Sequence, residues 1–358
     1  MPGAKQSKNR QDIKHGSSTE KSVQLLESPF KNSLAYVRWA SERPERMPLL
    51  RKYAPFFREL HFSMPGYAKD KPRDFVNLTH DSYESPDVLF YKPLAETMQL
   101  LLDAPAGSPE AEIDGILNFH FDAWIDPINF AGENINLIWY AISSEPRFEC
   151  MNSLARYPEY WGWGPEHRFH DQGQKAVKAL ANLDLGYNVD VDEWCVGWSD
   201  IYFVPRRFFA DFIYLSNIFA TYQVFHEVAV PTMIHIIDRT RRAHPSRSVV
   251  NHIGDCYGSC CSAGAHVHDV LDKRCGHRLD YMNTTVIDTT YERLDREAAM
   301  LGSQVEGSQW AMQMRCERVS GLDSLDNGKL NMLQGKLREL QARGETQKDE
   351  RLNAIQPT

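Results

Sequence analysis

The stretch that most constrains the fold is Asp114-Gly115-Ile116-Leu117-Asn118-Phe119-His120-Phe121-Asp122-Ala123-Trp124-Ile125-Asp126-Pro127. From Ile116 to Phe121 its residues alternate at a period close to two, the repeat of a strand, and the chain turns acidic where that strand ends. A buried strand that carries carboxylates out at the C-terminal edge of a sheet is where an α/β protein places a metal or a ligand. This is the candidate site strand, with Asp122 and Asp126 as its acids. The competing reading is local: Asp122 and Asp126 form an Asx-turn ahead of Pro127.

What can surround that strand is limited by size and charge. With 358 residues, 42% of them hydrophobic, the chain can build one large domain with appendages. A formal net charge of -8 argues against a nucleic-acid backbone as partner, because that partner calls for a basic face. A small or carbohydrate-like substrate fits better. No run of about 18 apolar residues occurs, and the N-terminus lacks the apolar core of a signal peptide, so a soluble chain without a transmembrane segment is expected.

Residues 1–31 are poor in apolar side chains and read as a flexible tail. Asn32 to Ala40 then reads as a strand, Arg43 to Arg58 as a helix and Glu59 to Met64 as a second strand, the opening of a parallel sheet. A loop from Gly66 to Pro86 and a helix from Asp87 to Leu102 follow, which makes Ile113 to Trp124 the third parallel strand, buried centrally by right-handed crossovers. The aromatic stretch Arg156 to Arg168 reads first as a loop packed over the core, with flat faces for sugar rings as the alternative. A helix is expected from His170 to Leu183, and a strand ending at Pro205 with Asp200 at its start.

Phe208 to Ile237 reads as two buried helices, with Pro231 kinking or restarting the second. Glu227 stands out there, because a carboxylate in so apolar a segment must be paired, bind a ligand or stay protonated. The run from Asp238 to Arg247 is basic in an otherwise acidic chain; its guanidinium groups suit a diphosphate, or simply a solvated helix end. Residues 286–358 read as a helical C-terminal extension, with a leucine stripe between Lys329 and Ala354. Among seven cysteines, Cys256, Cys260, Cys261 and Cys275 cluster near His252, His266, His268 and His277, whereas Cys150 and Cys195 stand apart. Disulfides, free thiols and a zinc site remain open for that cluster. Asn77 and Asn283 begin glycosylation sequons.

Three segments carry a resemblance. Asp-Gly-x-Leu-x-x-His-x-Asp at 114–122, Gly-Trp-Ser-Asp-Ile-Tyr-Phe-Val-Pro at 197–205 and Phe-His-Glu-Val-Ala-Val-Pro-Thr at 225–232 resemble nucleotide-sugar-dependent glycosyltransferases of the GT-A fold, over roughly residues 32 to 240. The resemblance implies an α/β domain over 32–285 with a mostly parallel, Rossmann-like central sheet flanked by helices. It also implies that an Asp-x-Asp motif at this strand end holds a divalent cation against the donor diphosphate. His120-Phe121-Asp122 takes that place, so the first acid is replaced and Asp126 is a candidate for the vacant role. The expected set is therefore Asp122, His120 and Asp126 around Mn²⁺ or Mg²⁺. Asp200 and Glu227 would act on the acceptor hydroxyl, and Arg239, Arg241, Arg242 and Trp124 would contact the nucleotide sugar. The acceptor is a glycan, protein or small-molecule hydroxyl, and the family implies the Golgi lumen, or the cytosol if the chain is complete. A glycoside hydrolase with paired carboxylates and a non-catalytic carbohydrate- or nucleotide-binding relative are the alternatives.

Overall fold

The computed structural model describes residues 23–39, 43–63, 89–141, 149–151, 168–183, 185–258 and 262–306. In chain order the strands are β1 (Val23–Leu25), β2 (Ser33–Arg38), β3 (Glu59–Ser63), β4 (Gly115–His120), β5 (Ala123–Ile125), β6 (Ile138–Ala141), β7 (Glu149–Met151), β8 (Trp194–Val196), β9 (Ile201–Pro205), β10 (Val250–Ile253), β11 (Cys256–Tyr257), β12 (Cys275–His277) and β13 (Gln304–Glu306). The helices are α1 (Met47–Leu50), α2 (Tyr91–Leu102), α3 (Arg168–Asn182), α4 (Phe209–Thr221), α5 (His226–Arg241), α6 (Val267–Asp272) and α7 (Thr284–Met300).

Six strands form the central sheet in the order β10-β6-β9-β4-β2-β3. β4 lies inside it, parallel to β2, as its apolar run demands, since a strand buried on both faces has no solvent side to satisfy. Alternate residues feed two apolar layers. Leu34, Tyr36, Ile116, Tyr140, Tyr202 and Val204 pack with residues of α2, α4 and α5. Ala35, Val37, Leu117, Phe119, Trp139 and Phe203 pack with Tyr53, Trp124 and the α7 residues Val286 and Leu294.

The sheet is mixed but mostly parallel: five of its six strands run one way, and β9 runs antiparallel to both β4 and β6. Periodicity reports that a strand exists and is buried but carries no direction, so β9 was legible and its reversal was not. The reversal matters for the site: β9 begins at the edge where β2 and β4 end.

Other departures have local causes. The helix expected over Arg43 to Arg58 is broken into the single turn α1 between 3-10 turns at Pro44–Arg46 and Arg51–Phe56, with Pro48 and Pro55 interrupting the backbone donors. Structure also begins inside the segment read as a tail: β1 pairs antiparallel with β13, and Leu26 and Phe30 are buried. The boundary drawn at residue 286 falls inside α7, whose Val286 and Leu294 belong to the core. The aromatic stretch before Arg168, Asn77, Cys260, Cys261 and the leucine stripe beyond Lys329 lie outside the described residues.

Pro231 sits inside a continuous α5. Lacking an N–H, it leaves the Glu227 carbonyl, four residues back, without its helical donor. The Gly197 amide donates to that oxygen at 2.9 Å. One proline thus docks the Gly-Trp-Ser-Asp turn onto the first turn of α5.

Candidate functional site at the edge of the sheet

Parallel pairing sets Arg38 of β2 opposite His120 of β4, and the His120 amide donates to the Asp200 carbonyl at 3.0 Å. Three strand ends therefore converge, the third only because β9 is reversed. A fourth chain segment arrives from the small sheet β11-β12-β5, whose middle strand brings His277. Gly276 makes that approach possible, since a Cβ there would lie 2.1 Å from the Trp124 ring.

The side chains form one buried network. The Arg38 guanidinium donates to Asp200 Oδ1 at 2.7 Å. His277 lies between the acids, its Nε2 3.0 Å from Asp122 Oδ1 and its Nδ1 3.6 Å from Asp200 Oδ2. His120 Nδ1 is hydrogen-bonded to Asp122 Oδ1. Exposure is 4% for Arg38, 5% for Asp200 and His277 and 7% for Asp122, so these charges interact with little solvent screening.

Electrostatics sorts the four groups. Burial alone would raise both carboxyls, yet the bonds from His120 and His277 hold Asp122 far below the usual carboxylate range. Asp200 is likewise held low, by His277 and Arg38 against burial. Burial would lower His277, but Asp200 and Asp122 outweigh it and raise its pKa. Burial and the Arg38 charge lower His120 instead. One histidine is thus biased to imidazolium and the other to neutral imidazole, and a neutral imidazole is what binds a metal.

The donor atoms are arranged for such an ion. His120, Asp200 and His277 each present a ligand atom, all within 4.8 Å of one another. Asp122 takes one nitrogen of each histidine, so His120 Nε2 and His277 Nδ1 would be the ligating atoms, with His277 giving up its imidazolium proton when an ion binds. A carboxylate that grips the far nitrogen of a ligating imidazole fixes its tautomer and orientation. Cys150, Cys195 and His235 also lie close together, but a Cys150–Cys195 disulfide consumes both sulfurs. Cys256 and Cys275, within the sequence cluster, form a second disulfide.

Beneath the network a transverse row of polar side chains crosses the sheet. Cross-strand pairing aligns His61, Tyr36, Asn118, Tyr202, Tyr140 and His252 on successive strands, one pleat deeper than Arg38 and His120. Asn118 is 1% exposed, and neither of its amide atoms has a hydrogen-bond partner among the described residues. The same holds for Ser199 Oγ and His226 Nδ1. Buried polar atoms of this kind are normally satisfied by water or a ligand.

Of the residues expected from sequence, His120, Asp122 and Asp200 come together. Glu227, 5% exposed, occupies the first turn of α5; burial first, and then the charges of Glu227 and Asp200, raise the Tyr140 phenol well above its ordinary value. Asp126 does not join them: fully buried, it pairs with Arg293 of α7 and accepts from the Asn129 amide. Trp124 lies under Gly276, 1% exposed, with no face for a nucleotide. The basic run is displaced as well. α5 rises about 1.5 Å per residue, so Arg239, Arg241 and Arg242 lie roughly 18–22 Å along its axis from Glu227. There Arg239 pairs with Glu193 and Arg241 with Asp211.

Arg38 and His277 were missed. A lone arginine inside the apolar strand Leu34 to Trp39 was the available signal, since a buried guanidinium requires a partner. His277 was visible only as one of several histidines near the cysteines. Comparison of the chain with models of protein families and with curated proteins returns no match.

Proposed function

We propose that the chain is a glycosyltransferase of GT-A type, moving a sugar from a nucleotide-sugar donor to a hydroxyl acceptor at the edge where β2 and β4 end. The observation that carries the reading is Asp122 at the end of β4, held ionised and gripping His120 and His277 beside Asp200. His120, Asp200 and His277 would hold the divalent cation, with Asp122 orienting the two imidazoles rather than ligating. Two nitrogens and one carboxylate suit Mn²⁺ better than Mg²⁺, which prefers an all-oxygen shell. When bound, the cation supplies neutralisation of charge on the departing diphosphate.

Glu227, buried in the first turn of α5, would orient the acceptor hydroxyl. A glycoside hydrolase would need one carboxyl raised enough to donate a proton, and Asp122 and Asp200 are both held low. The two disulfides support an oxidising compartment such as the secretory lumen. No helix among the described residues is long and apolar enough to cross a membrane.

The test is thermal unfolding against a panel of nucleoside diphosphates and nucleotide sugars, with Mn²⁺, with Mg²⁺ and with EDTA. A ligand that binds the folded state raises the midpoint by mass action. The expected result is a shift with one nucleotide that Mn²⁺ enhances and Asp122→Asn abolishes, followed by turnover of the matching nucleotide sugar. No shift from any nucleotide with Mn²⁺ present sinks the reading.

A further inference from the structure

Two cations lie beside Asp122 without hydrogen-bonding to it among the described residues. Arg46, next to α1, lies flat between two rings, its Cζ 4.3 Å from the Phe121 centroid and 4.2 Å from that of Tyr281. Phe121 is the residue between His120 and Asp122. Its amide donates to the Arg38 carbonyl at 2.9 Å and its carbonyl accepts from the Tyr281 hydroxyl at 3.0 Å, so both walls of the stack are fixed to the site strand. A guanidinium stacked in this way keeps its N–H edge in plane and pre-organised. Yet Arg46 Nη1 is buried and has no hydrogen-bond partner among the described residues. Leaving such a donor unmade is costly, which points to something that completes it.

Arg278 follows His277 directly. Its Nε is 3.7 Å from Asp122 Oδ2, beyond hydrogen-bond range, and its side chain is 56% exposed. Asp122 does not need either arginine, because His120 and His277 already bond it. Arg38, Arg46 and Arg278 thus face two carboxylates, Asp122 and Asp200, in a chain whose net charge is -8. A local cationic excess on an acidic protein concentrates an anion there.

We infer that Arg46 and Arg278 form the diphosphate-binding pair of this site, the task that the sequence assigned to Arg239, Arg241 and Arg242. The inference rests on the transferase reading only for the nucleoside attached to the diphosphate. The ligand class is a pyrophosphate-type anion, whose two phosphoryl groups can each take charge-assisted bonds from a guanidinium.

The experiment is calorimetric titration of the full chain with inorganic pyrophosphate and, separately, with nucleoside diphosphates, in Mn²⁺ and in EDTA. Arg46→Met keeps an apolar stem between Phe121 and Tyr281, Arg278→Ala removes an exposed side chain, and Arg242→Ala is the control at the far end of α5. Circular dichroism confirms that each variant is folded. Each of the first two variants is expected to weaken pyrophosphate binding roughly tenfold or more, the worth of a charge-assisted bond, and the control to leave it unchanged. Tight binding by wild type that both variants retain overturns the inference while leaving the transferase reading intact. Pyrophosphate binding that needs both arginines, with no added affinity from any nucleoside, upholds the inference and overturns the transferase reading. A wild-type protein that binds neither ligand overturns both.

Discussion

Two clusters in this molecule contain the same chemistry, an acid between a histidine and an arginine, and only one has the marks of a site. At the far end of α5, Glu193 is shared by His235 at 3.0 Å and by Arg239, while Asp211 takes both Arg241 and the Tyr187 hydroxyl. Arg239 and Glu193 are 23% and 17% exposed, and Arg241 is 50% exposed. At the sheet edge the Arg38 and Asp200 side chains are 4% and 7% exposed, and Asn118, Ser199, His226 and Arg46 have polar atoms without hydrogen-bond partners among the described residues. Residue type therefore does not separate function from support. Arg239 Nε also lacks a hydrogen-bond partner among the described residues, so what separates the clusters is that both partners of the edge pair are buried.

The largest expected contrast comes from removing one cation from each cluster. Arg38→Met leaves Asp200 buried beside His277 alone, and breaking such a pair should cost about 3–5 kcal/mol in urea unfolding and abolish any metal or nucleotide shift. Equal stability of the variant and wild type would erase the distinction between the clusters. Next in size is the Cys150–Cys195 link, which ties β7 to β8 near the far cluster. For its separation of 45 residues the loop-entropy relation gives about 4 kcal/mol, so the Cys150→Ala, Cys195→Ala double variant should melt far lower yet still bind ligand once folded. Loss of binding in the folded variant would couple the two regions.

The pH response separates the histidines at the edge, measured in EDTA. His277 has a raised pKa, so its contribution is full below the unfolded value of about 6.5 and fades as pH rises through the folded one. His277→Asn should therefore destabilise more near pH 6 than near pH 9. His226 is lowered, chiefly by burial and then by Arg38, so the unfolded chain takes up its proton first and wild type loses stability as pH falls below about 6.5. His226→Phe should flatten that acid limb, and parallel limbs for the two variants would contradict the assignment. The smallest effect is reserved for Arg242→Ala, within about 0.5 kcal/mol of wild type and unchanged in ligand affinity.

Much of the frame was legible and less of the site. β2, β3 and β4 announced themselves through apolar runs with strand spacing, and α2, α3, α4 and α5 through helical spacing or long apolar runs. What periodicity cannot carry is pairing over distance. Asp126 meets Arg293 across 167 residues, and nothing local to Asp126 distinguishes it from a metal ligand. Cys150 and Cys195 seemed isolated because their adjacency exists only after β7 and β8 pair. The resemblance of His120-Phe121-Asp122 to an Asp-x-Asp motif pointed to the strand end where the buried network lies, but the group there that could hold an ion is His120, Asp200 and His277.

The pairing of β1 with β13 has a consequence for how the molecule is attached to anything else. Val23 lies opposite Glu306, so the strand that opens the described domain and the strand that closes it have their outer ends side by side. Whatever is tethered through one end is held beside whatever the other end carries, and a pair of fluorophores flanking the two strands would report, by their separation alone, whether this clasp is shut.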